Sequence, residues 1–222
     1  MPATRPDPTP TAVPATVDTR DMVVVHTALL REIRMAPTAV VRTETRRQRA
    51  RVVRHVRLLL DILDHHHEGE DRLLLPLLRA RVPAAALDTG EEQHARIEEL
   101  VAAVRVALDS WTDRHTGLAL VDDLAELYTL LEAHLRMEER EILPLAAAHL
   151  TAAEWAALGE AGFQAIPKPA LPLFFGMMMA EGDPAVLRAM LAEAPPPARA
   201  LLPRIAPGIH TRHCRRLFGE VA

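Results

Sequence analysis

Histidine and glutamate recur in register along this chain, and in that combination they are the residue types that hold a carboxylate-bridged pair of metal ions. His26 returns as His94, His66 as His134, Glu70 as Glu138 and Pro76 as Pro144, each 68 residues further on. The strings HHHEGEDRLLLPLL (residues 65–78) and HLRMEEREILPL (residues 134–145) hold the paired His, Glu and Pro. His66 and Glu70 are four apart and so stack on one helical face, as do His134 and Glu138. Each pair interrupts a leucine seam. Burying such groups without partners costs roughly 2–7 kcal/mol apiece, and metal ions partner all six at once. A single core histidine is usually a hydrogen-bonded packing residue; four in register, two with a carboxylate one turn on, outweigh that reading. Within His65-His66-His67 the seam and the repeat both select His66. Between Glu138 and Glu139 the seam selects Glu138, with Glu139 left open as a ligand five residues on. Asp71 and Glu139, equivalent under the repeat, read as outer or solvated partners.

These residues need helices to place them, and four amphipathic segments are legible. The first runs from Asp18 or Thr19 to Met35 and is ended by Pro37. The second runs from Thr43 to Arg81, with Pro76 kinking its last turns. The third starts after Thr89-Gly90 and carries His94, Ile97, Val101, Val104 and Leu108. The fourth spans Gly117 to Leu150. Short connections between long amphipathic helices favour antiparallel neighbours, so the expected fold is all-α, an up-down-up-down four-helix bundle. The 68-residue repeat is then a two-helix unit used twice.

Either side of the bundle the chain changes character. Residues 1–18, with five prolines by position 14, read as a disordered Pro/Thr-rich leader. Residues 19–150 hold the bundle, and residues 151–222 read as a short helical extension or lid. In that extension Thr151 and Glu154 make a capping box, a helix covers Pro184–Glu193, and FFGMMM (Phe174–Met179) reads first as a Met-filled core contact, second as a channel or docking surface. The ending RHCRR reads as a solvated basic terminus rather than a reactive thiol. His55 falls off the seam and reads as structural or exposed, and His115, His149, His210 and His213 read as lying in loops or the tail.

Composition narrows the classes. With 49% hydrophobic and 25% charged residues the chain can bury a core, and a net charge of −4 gives no reason to expect nucleic acid. One cysteine, Cys214, excludes an internal disulfide. Neither a membrane span nor a signal-peptide core is legible, so no membrane partner is expected and a cytoplasmic location is.

Together His26, HHHEGED with LLLPLL, QHARIEEL and HLRMEEREILPL resemble the hemerythrin-like (HHE) family, in its bacterial branch, over roughly residues 20–150. The resemblance implies a hemerythrin-like bundle with a non-heme di-iron centre: two iron ions bridged by carboxylates and an oxo or hydroxo group. It implies His26, His66, His94 and His134 as terminal ligands and Glu70 and Glu138 as bridges. Oxygen-carrying members have a further histidine one turn after the third ligand, and Glu98 stands there. Glu98 either binds as a third carboxylate or points away and leaves a position to water. As a ligand it adds a hard oxygen donor that favours ferric iron, which argues against reversible oxygen carriage.

The chemistry expected on this basis is reaction with dioxygen or peroxide, of ferroxidase, peroxide-removing or small-molecule oxidase type. Two other readings stay open: a module sensing oxygen, nitric oxide or iron through residues 151–222, and a metal-storage or zinc-binding bundle. The extension is also a candidate surface for an electron donor or a second copy of the chain.

Overall fold

A computed structural model describes residues 16–83 and 85–219; the leader expected over residues 1–18 therefore lies, up to residue 15, outside the described residues. Every regular element among the described residues is helical. The first, α1 (Arg20–Val41), presents Val24, His26, Leu29, Ile33 and Ala36 to the interior. Pro37 does not end it. A proline within a helix loses one backbone hydrogen bond and crowds the carbonyl four residues back. Here Ala39 and Val40, buried beyond it, hold the extra turn, and the Thr43 hydroxyl donates to the Ala39 carbonyl at 2.8 Å.

α2 (Arg46–Gly69) starts later than the expected Thr43, because Thr45 and Gln48 form a reciprocal capping box at its head. It continues through a π turn (Glu70–Leu74) into α3 (Leu75–Arg79). α4 (Ala85–Ser110) begins before Gly90 rather than after it. α5 (Arg114–Met137), capped by Asp113 and Thr116, runs through a second π turn (Glu138–Ile142) into α6 (Leu143–His149). Both π turns end just before a proline of the repeat, Pro76 or Pro144, whose missing N–H disfavours an unbroken α ladder there. The kink expected at Pro76 takes the form of a widened turn that starts at Glu70.

α1 packs on α2 and α5, and α4 on α5 and α2, which makes the four-helix bundle. The described residues that follow form α7 (Ala152–Ala165, with the Thr151–Glu154 capping box), a 3-10 turn (Lys168–Ala170), α8 (Leu171–Glu181), α9 (Pro184–Glu193) and α10 (Pro196–Phe218). α7 lies on α2 and the first π turn, α8 and α9 on α1, and α10 on α8, α1 and α2. The expected solvated basic terminus holds for the arginines, which face outward, but not for the inner face of α10, where His210, Cys214, Leu217 and Phe218 are buried. His55, read as structural or exposed, is buried as well. No described helix is long and apolar enough to cross a membrane.

Two apolar cores fill the bundle. The larger includes Leu29, Leu59, Leu63, Ile97, Leu124 and Leu131 together with Phe174 and Phe175 of α8. The smaller joins Met22, Leu74, Leu78, Leu87, Ile142 and Trp155. On α2, α4 and α5 the histidine and glutamate residues fall at the boundary between them, a polar layer inside an apolar stack.

Candidate metal centre

The bundle brings six of the seven expected ligands together. His26, Glu70, His94, His134 and Glu138 are buried, and His66 is nearly so. With His67 they form two groups whose ligand atoms lie within 4.8 Å of one another: His26, His66, Glu70 and Glu138, and His67, Glu70, His94 and His134. Glu70 belongs to both. Its Oε1 is 3.5 Å from His66 Nε2 and its Oε2 is 3.7 Å from His94 Nε2. Glu138 straddles the groups in the same way, with Oε2 3.6 Å from His26 Nε2 and Oε1 3.4 Å from His134 Nε2. The π turns begin at these two glutamates, so the local widening of the helix falls where the carboxylate must enter the core.

Two placements depart from the sequence reading. Glu98 is exposed and belongs to neither group; it lines a surface groove with Asp64, Asp71 and Arg105. His67, passed over in favour of His66, is buried in the second group, its ring stacked on His94 with centroids 4.3 Å apart. Its signal in the sequence is its spacing of three from Glu70, which shares a helical face as readily as the spacing of four from His66.

Two of the three outer contacts cross between the halves of the repeat, and the third stays within the second half. His94 Nδ1 donates to the Asp71 carboxylate at 2.7 Å, and His26 Nδ1 to that of Glu139 at 3.1 Å. His134 Nδ1 donates to Gln93 Oε1 at 3.0 Å. Each contact fixes the ring so that Nε2, the atom facing the core, carries the lone pair. Val25 stands where the repeat would place a counterpart of Gln93, and there the surroundings of His66 are apolar. A cavity of about 110 Å³ reaches His66 between Val25, Ile62, Phe163, Phe174 and Met178.

The electrostatics suit a cation. Burial pulls His66 down to about 3 and His134 to about 4, and holds His67 well below the ordinary imidazole value, so these rings are neutral with free lone pairs. Burial and the neighbouring Glu138 push Glu70 well up, a repulsion that a shared positive charge would remove. The Nε2 atoms of His26, His66 and His67 and one oxygen each of Glu70 and Glu138 are buried without a hydrogen-bond partner. Five such orphans around one point match the donor set of a metal centre.

With this geometry the sequence comparison agrees: the chain matches the family Hemerythrin, described as the hemerythrin HHE cation binding domain, over residues 17–146, and belongs to it. Searches of curated proteins and of solved structures returned no match. A metal-binding site in a hemerythrin-like helical bundle is what fold, donors and family jointly define.

Proposed function

We propose that the chain is a non-heme di-iron protein that reacts with dioxygen or peroxide, in the manner of a ferroxidase, a peroxide-removing enzyme or a small-molecule oxidase. The observation that carries this is the placement of Glu70 and Glu138, each with one oxygen toward either histidine group. Two carboxylates so placed are suited to bridging two ions, and a donor set of imidazole nitrogen and carboxylate oxygen without sulfur suits iron. When bound, the two irons supply the electrons that dioxygen or peroxide accepts.

The protein residues do the rest. Asp71, Glu139 and Gln93 hold the rings of His94, His26 and His134 in one tautomer. The leucine layers on either side keep bulk water away from the buried carboxylates. The apolar cavity beside His66 suits a small neutral molecule, and its walls exclude ions. On the opposite side the groove of Asp64, Asp71 and Glu98 offers an acidic route for cations and protons toward His67 and His94.

A second reading, sensing of oxygen, nitric oxide or iron, is favoured by the cavity wall. Phe163, Phe174 and Met178 belong to the helices that follow the bundle, so a ligand at His66 would press directly on them.

One experiment separates these readings. The chain is loaded anaerobically with ferrous iron, its metal content is measured by mass spectrometry, and absorption is followed on exposure to oxygen. Two irons per chain with transient near-ultraviolet and visible bands are the expected result. Lasting, reversible bands would favour the sensor, and one iron or none without bands would return the site to storage or zinc.

A further inference from the structure

A second set of metal-type donors lies on α1, α2 and α10, apart from the centre described above. Glu32, His55, His210 and Cys214 are 0%, 2%, 6% and 4% exposed. Glu32 is six residues beyond His26 on α1, about 9 Å along the axis at 1.5 Å per residue. His210 and Cys214 are one turn apart and share a face of α10. His210 Nε2 is 2.9 Å from Glu32 Oε1 and 3.2 Å from Cys214 Sγ. His55 Nε2 faces Glu32 Oε2 from α2 at 3.4 Å. Those last two atoms are fully buried and have no hydrogen-bond partner.

We propose that Glu32, His210 and Cys214, whose ligand atoms lie within 4.8 Å of one another, form with His55, which reaches Glu32 from α2, a second, mononuclear cation site for a borderline-soft divalent ion of the zinc class, which clamps α10 to the bundle. One thiolate, two imidazoles and one carboxylate are a tetrahedral zinc donor set, and the sulfur distinguishes it from the nitrogen and oxygen donors of the centre. The outer contact is in place: His213 Nε2 lies 3.0 Å from His55 Nδ1, so His55 can donate there and keep Nε2 free for the cluster. Charge also balances, since the two anionic donors match a dication. The cation beside the site, Arg31, keeps its own anion, with Nε 3.2 Å from Glu181, while its Nη1 contacts Glu32 and lies 3.4 Å from His210 Nε2.

The competing description is a buried ion-pair network in which Arg31 and a protonated His210 share Glu32. It leaves Glu32 Oε2 and His55 Nε2 only each other, at 3.4 Å and without a well-formed hydrogen bond, a poor arrangement for two fully buried polar atoms. An ion satisfies both. It also joins residues 178 positions apart, and cross-links that close long loops remove the most entropy from the unfolded chain. The assignment does not rest on the di-iron reading.

The test uses the full chain and cobalt(II) as the probe. Cys214 is the chain's single cysteine, so a thiolate-to-cobalt charge-transfer band in the near-ultraviolet reports this site alone, whatever the centre binds. The expected result is a band that saturates at one ion per chain, is displaced by zinc, and is absent from Cys214→Ser. Independently of any variant, zinc at about 100 times its dissociation constant should slow alkylation of Cys214 by about 100-fold, under conditions in which the metal-free chain reacts. Absence of the band from the wild-type chain, its persistence in Cys214→Ser, or alkylation indifferent to zinc would each overturn the site and leave the ion-pair network.

Discussion

The rings of His67 and His94 stack in parallel, 18° apart, although the counterpart of His67 in the second half of the repeat is Leu135. The centre is therefore not a copy of one half upon the other: one of its two groups has an extra imidazole. Leucine is tolerated at the equivalent place, so His67→Leu should fold with an unchanged helical spectrum while the bound metal falls from two ions per chain toward one. Mass spectrometry of the loaded variant measures this; undiminished metal with an unchanged spectrum would show that His67 only packs.

Asp71 and Glu139 touch no second group of the centre yet orient His94 and His26 across the repeat. Outer partners of this kind are worth about 10–100-fold in metal affinity. Asp71→Asn and Glu139→Gln should each weaken binding by that factor in a chelator competition, with little loss of thermal stability. Removing an inner ligand is harsher. His134→Ala leaves Glu138 without its near partner and should cost about 3–5 kcal/mol in the metal-free chain as well.

Glu98 lines the acidic groove but reaches neither group. Glu98→Gln should slow the uptake of ferrous iron, seen by stopped-flow, and leave the final metal content unchanged. A lower final content would restore Glu98 to the ligand set.

The four clustered histidines and both inner glutamates are legible in the sequence because their face is set by a 3.6-residue period and their equivalence by the repeat, two signals that need no tertiary knowledge. His67 was missed because a seam picks one residue per turn, whereas a wide ligand face takes neighbours at both the three- and four-residue spacings. For Glu98 the sequence leaves two alternatives, ligand or pointing away, and its exposure favours the second; the buried Ile97 beside it sets which way α4 faces. Pro37 was read as a stop because local rules see the lost hydrogen bond and not the burial of Ala39 and Val40 that compensates it. Nothing local joins Glu32 to Cys214, since that contact depends on where α10 docks.

Docking of α10 depends in turn on Gly176. A Cβ there would stand 2.5 Å from the Ala206 carbonyl oxygen and 2.7 Å from His210 Cβ, distances that only backbone movement could relieve. Gly176→Ala should destabilise the chain by about 1–3 kcal/mol, the usual cost of overpacking, as measured by chemical denaturation.

Asp21 accepts from Trp155 Nε1 at 3.1 Å at the edge of the apolar cavity, and burial raises its carboxyl above the ordinary aspartate value. A raised folded value means that the folded state prefers the proton. The contribution to stability is fully present below the ordinary value and is lost as pH rises through the raised one. Asp21→Asn should abolish that loss. Denaturation midpoints of the two proteins, compared from acid to neutral pH, should separate in favour of the variant as the pH rises; parallel curves would show that Asp21 ionises freely.

The crossed contacts give the centre the symmetry of a dimer interface. Asp71 of the first half serves His94 of the second, and Glu139 of the second serves His26 of the first. Residue i meets j and j meets i, which is the rule for two identical subunits related by a two-fold axis. A single helical hairpin carrying one histidine of each kind and one carboxylate pair could complete no such centre alone, but two copies of it could. Two halves of one polypeptide thus meet as two subunits of a dimer would, and Val25 opposite Gln93, with His67 opposite Leu135, marks where that two-fold relation is broken.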